Sequence, residues 1–190
     1  MALYLNAPPA VEPVTLADAK AHLRIDDTAE DAYVQALIVS ARVRVEVETR
    51  RALVTQSWTQ TLDRWPDDAV VALQIAPVQS VTTVTVRDEN GVAQTVSSGL
   101  YDLDGESNPP RLVVNQPVDS PATLPAGIAI TFVAGYGDAA DDVPADIRQA
   151  MLLLIADWFE HRDPLYGSSQ GARLPAAAEA ILGPYRMVHL

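Results

Sequence analysis

Apolar residues recur at helical spacing near both ends of the chain and at a period of two in between. Leu16, Ala19 and Leu23 fall three or four residues apart, as on one face of a helix. Thr15 and Asp18 just before them predict a capping box, in which the Thr15 hydroxyl accepts from the Asp18 amide and the carboxylate reaches back. After Asp26-Asp27, the run Thr28-Ala29-Glu30-Asp31 repeats that signal, and a long helix is predicted to about Arg51. This second helix carries two apolar stripes. Val34, Leu37, Ile38, Ala41 and Val45 form one; Ala32, Ala36, Val39, Val43 and Val47 form another, on the opposite side at 100° per residue. Gln35, Arg42 and Glu46 line one flank between them, and Ser40 and Arg44 the other. A helix apolar on two sides must be covered on both. Either its own domain covers both stripes, or one packs on a neighbouring subunit.

From about Gln56 the period changes to two. Trp58, Gln60 and Leu62 alternate with Thr59 and Thr61; Val71, Leu73 and Ile75 alternate; and 81–86 is rich in Val and Thr, the composition strands favour. Asp88-Glu89-Asn90-Gly91 is a hairpin signal, with 92–96 as the returning strand. Further short strands are predicted at Tyr101 and Leu103, at 111–114 after Pro109-Pro110, and at 128–133. Short strands separated by Pro, Gly, Asn and Asp predict a small antiparallel sandwich-like module.

Helical spacing then returns. Pro144 and Asp146 suit a helix N-terminus. Ile147, Ala150, Met151, Leu154, Ile155 and Trp158 make one face, and Leu152, Leu153, Ala156 and Phe159 cover much of the rest, which predicts a central helix ending at Arg162 and Asp163-Pro164. Tyr166–Ala172 is predicted as a loop, 175–182 as a short Ala-rich helix stopped by Gly183-Pro184, and 185–190 as a tail. The predicted class is α+β: a helical core built from the N- and C-terminal helices (residues 1–55 and 140–190) with an inserted antiparallel β-sandwich-like module (56–139).

Composition narrows the function. At 190 residues, 48% hydrophobic and 20% charged, the chain is in the globular range. It has no cysteine, which excludes disulfides, thiolate metal sites and cysteine catalysis. No basic n-region precedes an apolar run near Met1, so no signal peptide is expected. The most apolar stretch, 151–156, is stopped by Asp157, far short of the ~20 residues that span a bilayer. The formal net charge of −12 argues against binding phosphate backbones, since each contact needs Lys or Arg. It does fit solubility, or a channel wall to which DNA does not adhere.

Candidate chemistry is sparse. His22, His161 and His189 lie in different elements, so no spacing supports a three-ligand metal site. Asp157 and His161 stand at i, i+4, as a surface pair does. Asp26-Asp27, Asp67-Asp68 and Asp141-Asp142 have the placement of turn and cap residues. Gly135-Tyr136-Gly137-Asp138 could shape an anion nest, but Asp138, Asp141 and Asp142 would repel the anion, and a turn is the better reading. No phosphate-loop, dinucleotide or nucleophile-elbow motif occurs. Neither catalytic residue, metal nor cofactor is expected.

The motifs in order resemble those of one family. Pro13-Val14-Thr15-Leu16-Ala17-Asp18-Ala19-Lys20, then His22-Leu23-Arg24-Ile25-Asp26, resembles the opening signature of phage head–tail connector (adaptor) proteins, a family that includes gene transfer agent adaptors. Glu46-Val47-Glu48-Thr49-Arg50-Arg51-Ala52-Leu53, Thr55-Gln56-Ser57-Trp58, Arg64-Trp65-Pro66, Ala76-Pro77-Val78, the 88–91 turn and Tyr101-Asp102-Leu103 continue it. So do Phe132-Val133-Ala134-Gly135-Tyr136-Gly137, Val143-Pro144-Ala145-Asp146-Ile147-Arg148-Gln149-Ala150 and His161-Arg162, with a weaker echo at Leu182-Gly183-Pro184-Tyr185-Arg186.

The resemblance implies a helical core with a β insertion and a non-enzymatic role. Such subunits form a ring, usually of twelve, beneath the portal, and join the DNA-filled head to the tail. Partners would be the portal protein, tail or neck proteins and further copies of the chain; DNA would pass through the lumen without specific binding, and no membrane is involved. The place implied is the neck of a virion or phage-like particle, assembled in the bacterial cytoplasm. On this reading Ala32, Ala36, Val39, Val43 and Val47 meet the neighbouring subunit, and Tyr185, Arg186, Met187 and Leu190 bind the portal. The rival readings are a free β-sandwich binding module, with Trp58 and Trp65 as candidate contacts, and another neck or tail component such as a tail terminator.

Overall fold

A computed structural model describes residues 1–115, 125–161 and 174–187. The loop expected at Tyr166–Ala172, the helix end at Arg162, and His189 and Leu190 lie outside them. The chain divides into two units. Met1–Pro9 and Arg50–Tyr136 build the first, with Met187; Ala10–Thr49 and Gly137–Arg186 build the second.

Among the described residues the first unit holds eight strands: β1 (Ala2–Ala7), β2 (Gln56–Leu62), β3 (Val70–Ala72), β4 (Val78–Arg87), β5 (Ala93–Thr95), β6 (Tyr101–Asp104), β7 (Arg111–Val114) and β8 (Ile128–Ala134). They form a five-stranded sheet in the order β1-β2-β8-β4-β5 and a three-stranded sheet in the order β3-β7-β6. Every pairing between these strands is antiparallel. Alternation sets the buried face, as a period of two requires. On β8, Ile128, Ile130, Phe132 and Ala134 are buried, and the residues between them are half-buried. Leu112 and Val71 from the smaller sheet join them in one core, with Val84, Val86 and Leu73.

One strand lies where helical core was expected. Residues 1–55 were assigned to the helical part, but β1 pairs along β2, with Tyr4 opposite Thr59 and Leu3 opposite Gln60. Its partner is more than fifty positions away, and no turn signal announces it.

The second unit holds α1 (Leu16–Leu23), α2 (Asp31–Thr49), α3 (Ala145–Glu160) and α4 (Ala176–Leu182). The α1 cap forms as expected on one side, with the Asp18 amide donating to Thr15 Oγ1 at 3.1 Å. The carboxylate does not reach the Thr15 amide; it accepts from the Thr15 hydroxyl at 2.6 Å. α2 packs on α3 and α1, and α3 packs on α4. Val34, Leu37, Ile38, Ala41 and Val45 of α2, Ile147, Ala150, Met151, Leu154 and Ile155 of α3, and Ala178 and Leu182 of α4 are all buried. Each Val, Leu, Ile or Met among them contributes roughly 1.5–3 kcal/mol when fully buried.

Candidate assembly surface

The α2 core stripe is matched on the far side of the helix by an uncovered one. Val39, Val43 and Val47 are 42%, 46% and 64% exposed, and Ala32 and Ala36 are exposed with them. Of the two arrangements open from the sequence, burial of both stripes within the chain is therefore not the one found. Val39 also borders a largely apolar groove lined by Val11, Val14, Leu16, Ile38 and Ala139, and Val11 is itself exposed.

Charged pairs rim the stripe. On one flank Arg42 donates from Nε to Glu12 Oε2 and from Nη1 to Glu46 Oε2, both at 2.8 Å. Arg42, read from the sequence as lining a flank between the two stripes, is buried. Burial works against its charge, but the hydrogen bonds and charges of Glu12 and Glu46 outweigh that, and its pKa stands above the usual arginine value. The i, i+4 spacing to Glu46 was visible; the partner Glu12, thirty residues earlier, was not. On the other flank Arg44 lies 3.5 Å from Glu48, and Glu48 also pairs with Arg186. An apolar strip with charges confined to its borders has the layout of a protein–protein contact, in which charge is depleted at the centre and retained at the rim.

The expected portal-binding residues are differently placed. The Tyr185 hydroxyl donates to Asp146, 2.9 Å from Oδ1 and 2.7 Å from Oδ2. Arg186 reaches Glu48 and lies 3.6 Å from Glu179. Met187 is buried. Tyr185 and Arg186 are thus engaged by helices of their own unit, and Leu190 lies outside the described residues.

The sites weighed for chemistry resolve into structural roles. Asp27 Oδ1 accepts from the Ala29 amide at 2.9 Å, Asp68 Oδ1 from the Val70 amide at 3.1 Å, and Asp142 Oδ2 from the Ala139 amide at 2.9 Å. Asp141 pairs with Arg148 at 2.7 Å. Gly135 has φ +141°, and a Cβ there would stand 2.6 Å from the backbone nitrogen of Thr55, so this glycine serves close backbone approach. His161 Nδ1 is 3.4 Å from Asp157 Oδ1, on an exposed helix end. Among the described residues no three His, Cys, Asp or Glu side chains gather as metal ligands, and no helix is long and apolar enough to cross a membrane. Trp58 and Trp65 pack against the sheet core, which removes them as an exposed aromatic platform.

Comparison with known proteins points the same way as the motifs. Residues 13–102 match the family described as phage gp6-like head-tail connector protein, which bears out the resemblance read from Pro13 onward. No curated protein sequence matches the chain. Among solved structures, the chain is similar to one from the virion of a native gene transfer agent (GTA) particle, with a TM-score of 0.82 and 27% identity over 100% of this chain and 97% of that one. It is similar to a chain in the neck of an empty GTA particle computed with C6 symmetry, with a TM-score of 0.81, 27% identity and coverage of 100% and 97%. It is also similar to one in the neck of a native GTA particle computed with C12 symmetry, with a TM-score of 0.72, 28% identity and coverage of 98% and 97%. The α+β class expected from the sequence is the class these neck structures share.

Proposed function

We propose that this protein is a structural, non-enzymatic subunit of the neck of a phage or phage-like particle, a head–tail connector. The observation that carries the proposal is the match to a neck chain over 100% of this chain and 97% of that one. The family match over residues 13–102, which contains α1, α2 and the strands β2 to β5, supports it independently.

In finer detail, the subunit forms a ring of twelve, the symmetry of one of those necks. The ring lies beneath the portal, joins the DNA-filled head to the tail and lines the channel through which DNA passes. A closed ring of identical subunits requires head-to-tail contacts between two different surfaces of each copy. The stripe of Ala32, Ala36, Val39, Val43 and Val47 supplies one such surface, since it is exposed, apolar and rimmed by charge. Net charge of −12 gives a lumen that repels the DNA backbone. Assembly takes place in the bacterial cytoplasm, where the cysteine-free chain needs no oxidising compartment. Portal binding through Tyr185, Arg186, Met187 and Leu190 requires Tyr185 and Arg186 to exchange their present partners for portal groups.

Electron microscopy of the particle neck tests the whole reading. Density for this chain in a ring between portal and tail is the expected result. Its absence from the neck would overturn the role. A basic lumen in that ring would remove the channel argument, and undiminished portal binding after truncation at Gly183 would remove the tail contact.

A further inference from the structure

Among the described residues the five-stranded sheet has two open edges, β1 at one end and β5 at the other. An unpaired edge is a template for another strand, and proteins usually guard it with charge, proline or shortness. Neither strand carries a charge or a proline, and of the two only β5, at three residues, is short. β1 is Ala-Leu-Tyr-Leu-Asn-Ala, with Tyr4 54% and Leu5 45% exposed. β5 is continued at both ends, because Val92 O accepts from the Asp88 amide at 2.9 Å and the Val96 amide donates to Val84 O at 2.8 Å. Its rim is therefore Val92-Ala93-Gln94-Thr95-Val96, also uncharged, with Val92 54% exposed. The smaller sheet differs: its edge strand β6 carries Asp102 and Asp104, and Asp67-Asp68 stand just before its other edge, β3.

We propose that β1 of one copy adds to the β5 edge of the next, so that the five-stranded sheets run on from subunit to subunit. The proposal rests on the ring reading and names a contact within it. Four successive antiparallel pairings separate β1 from β5, so the two edges run in the same direction. Copies related head to tail then bring β5 and β1 together as a parallel pair. A two-fold dimer would instead join like edges, β1 with β1 or β5 with β5, antiparallel, and such a contact cannot propagate around a ring. Unlike open edges at opposite ends of one sheet thus suit a second copy of this chain as the occupant.

The absence of cysteine makes the test clean. Tyr4 faces Thr59, Thr59 faces Thr131 and Thr131 faces Thr83, while Thr85, two residues on, faces Thr95. Positions 4 and 95 therefore project from the same face of the sheet. Within one copy they are four strand spacings apart, about 19 Å, and a disulfide needs Cα atoms within roughly 7 Å. Any bond between them joins two copies. The double variants Tyr4→Cys/Thr95→Cys and Tyr4→Cys/Ala93→Cys, which cover two registers, are oxidised after assembly and run without reductant, beside each single variant. The expected result is that one double variant moves mostly into a ladder of covalent multimers ending at the closed ring, that reductant collapses it, and that the single variants stay monomeric. Covalent dimers from Tyr4→Cys or Thr95→Cys alone would show like edges meeting and overturn the proposal. Rings that sediment normally but give no ladder with either double variant would overturn it and leave the connector role standing. Absence of any ring in the unmodified protein would end both.

Discussion

The double substitution Val39→Asp/Val43→Asp separates assembly from folding. The two valines leave 42% and 46% of their surface in water, and Val47 leaves 64%. Burying a whole valine contributes about 1.5 kcal/mol, so covering what remains exposed on the three contributes on the order of 2 kcal/mol to each subunit contact. The variant loses most of the share from positions 39 and 43 and places two carboxylates in the covered strip, beside Glu46 and Glu48. A desolvated, unpaired carboxylate costs several kcal/mol more. A penalty of at least ~3 kcal/mol per contact weakens each by a factor of ~100 or more. Folding should hardly notice, because surface changes away from special features stay within about 0.5 kcal/mol. Val45→Asp, two residues away on the fully buried stripe, is the contrasting control and should fail to fold. Urea denaturation measures the first quantity, and sedimentation with negative-stain microscopy the second. A Val39→Asp/Val43→Asp chain that folds normally and assembles with unchanged affinity would refute the assignment of the stripe.

Three further outcomes follow from individual residues. Arg42→Ala leaves Glu12 and Glu46 without their shared cation in a mostly buried setting and should cost about 3 kcal/mol, read as a lower urea midpoint at unchanged slope. Gly135→Ala places a methyl group against the Thr55 backbone at a φ that L-residues avoid; it should cost about 3 kcal/mol or abolish folding, measured by thermal unfolding. The third concerns Asp104, which is held at a pKa of about 2, chiefly by hydrogen bonds from Ser107 and Arg111. Because the folded-state value lies below the unfolded one, this contribution is present above about pH 4 and is lost as pH falls toward 2. Asp104→Asn should flatten that part of the stability–pH curve, and an unchanged acid limb in denaturation titrations would refute the role.

Much of the fold could be read from local pattern because the elements are amphipathic and sharply punctuated. The two stripes of α2 separated cleanly into a buried and an exposed face, since 3.6-residue periodicity is a property of the segment itself. What escaped was non-local. β1 was missed because its partner β2 lies beyond α1 and α2, and four alternating residues, Leu3 to Asn6, are a faint signal without a hairpin turn. The alternation at Leu73 and Ile75 is real, and both side chains are buried, yet β3 stops at Ala72. The Leu73 amide still donates in register to Pro110 O at 2.8 Å, but Pro110 has no N–H to complete the pair and the Gln74 amide turns to Gln60 Oε1 at 3.0 Å, so the ladder ends while the side chains keep their period. For the candidate site, the stripe was legible but its rim was not. Neither Glu12 on Arg42 nor Arg186 on Glu48 follows from spacing, because each joins distant segments.

On the ring reading, the distribution of charge links the α2 stripe and the sheet edges. A chain with net charge −12 repels its own copies at long range, and this repulsion is screened within roughly 8 Å at physiological ionic strength. The α2 stripe and both edges of the five-stranded sheet carry no charged residue. On the ring reading, contact at these uncharged strips forms only at short range, where apolar burial and strand pairing act and where the acidic remainder of each surface is turned outward or into the lumen. The same arrangement disfavours misassembly: a stripe meeting an arbitrary acidic surface would bury carboxylates without partners, whereas an edge meeting its uncharged counterpart buries none. Specificity for the neighbouring copy then comes from where carboxylates are absent as much as from the valines themselves. Added salt should accordingly speed encounter between subunits while leaving the pattern of contacts unchanged.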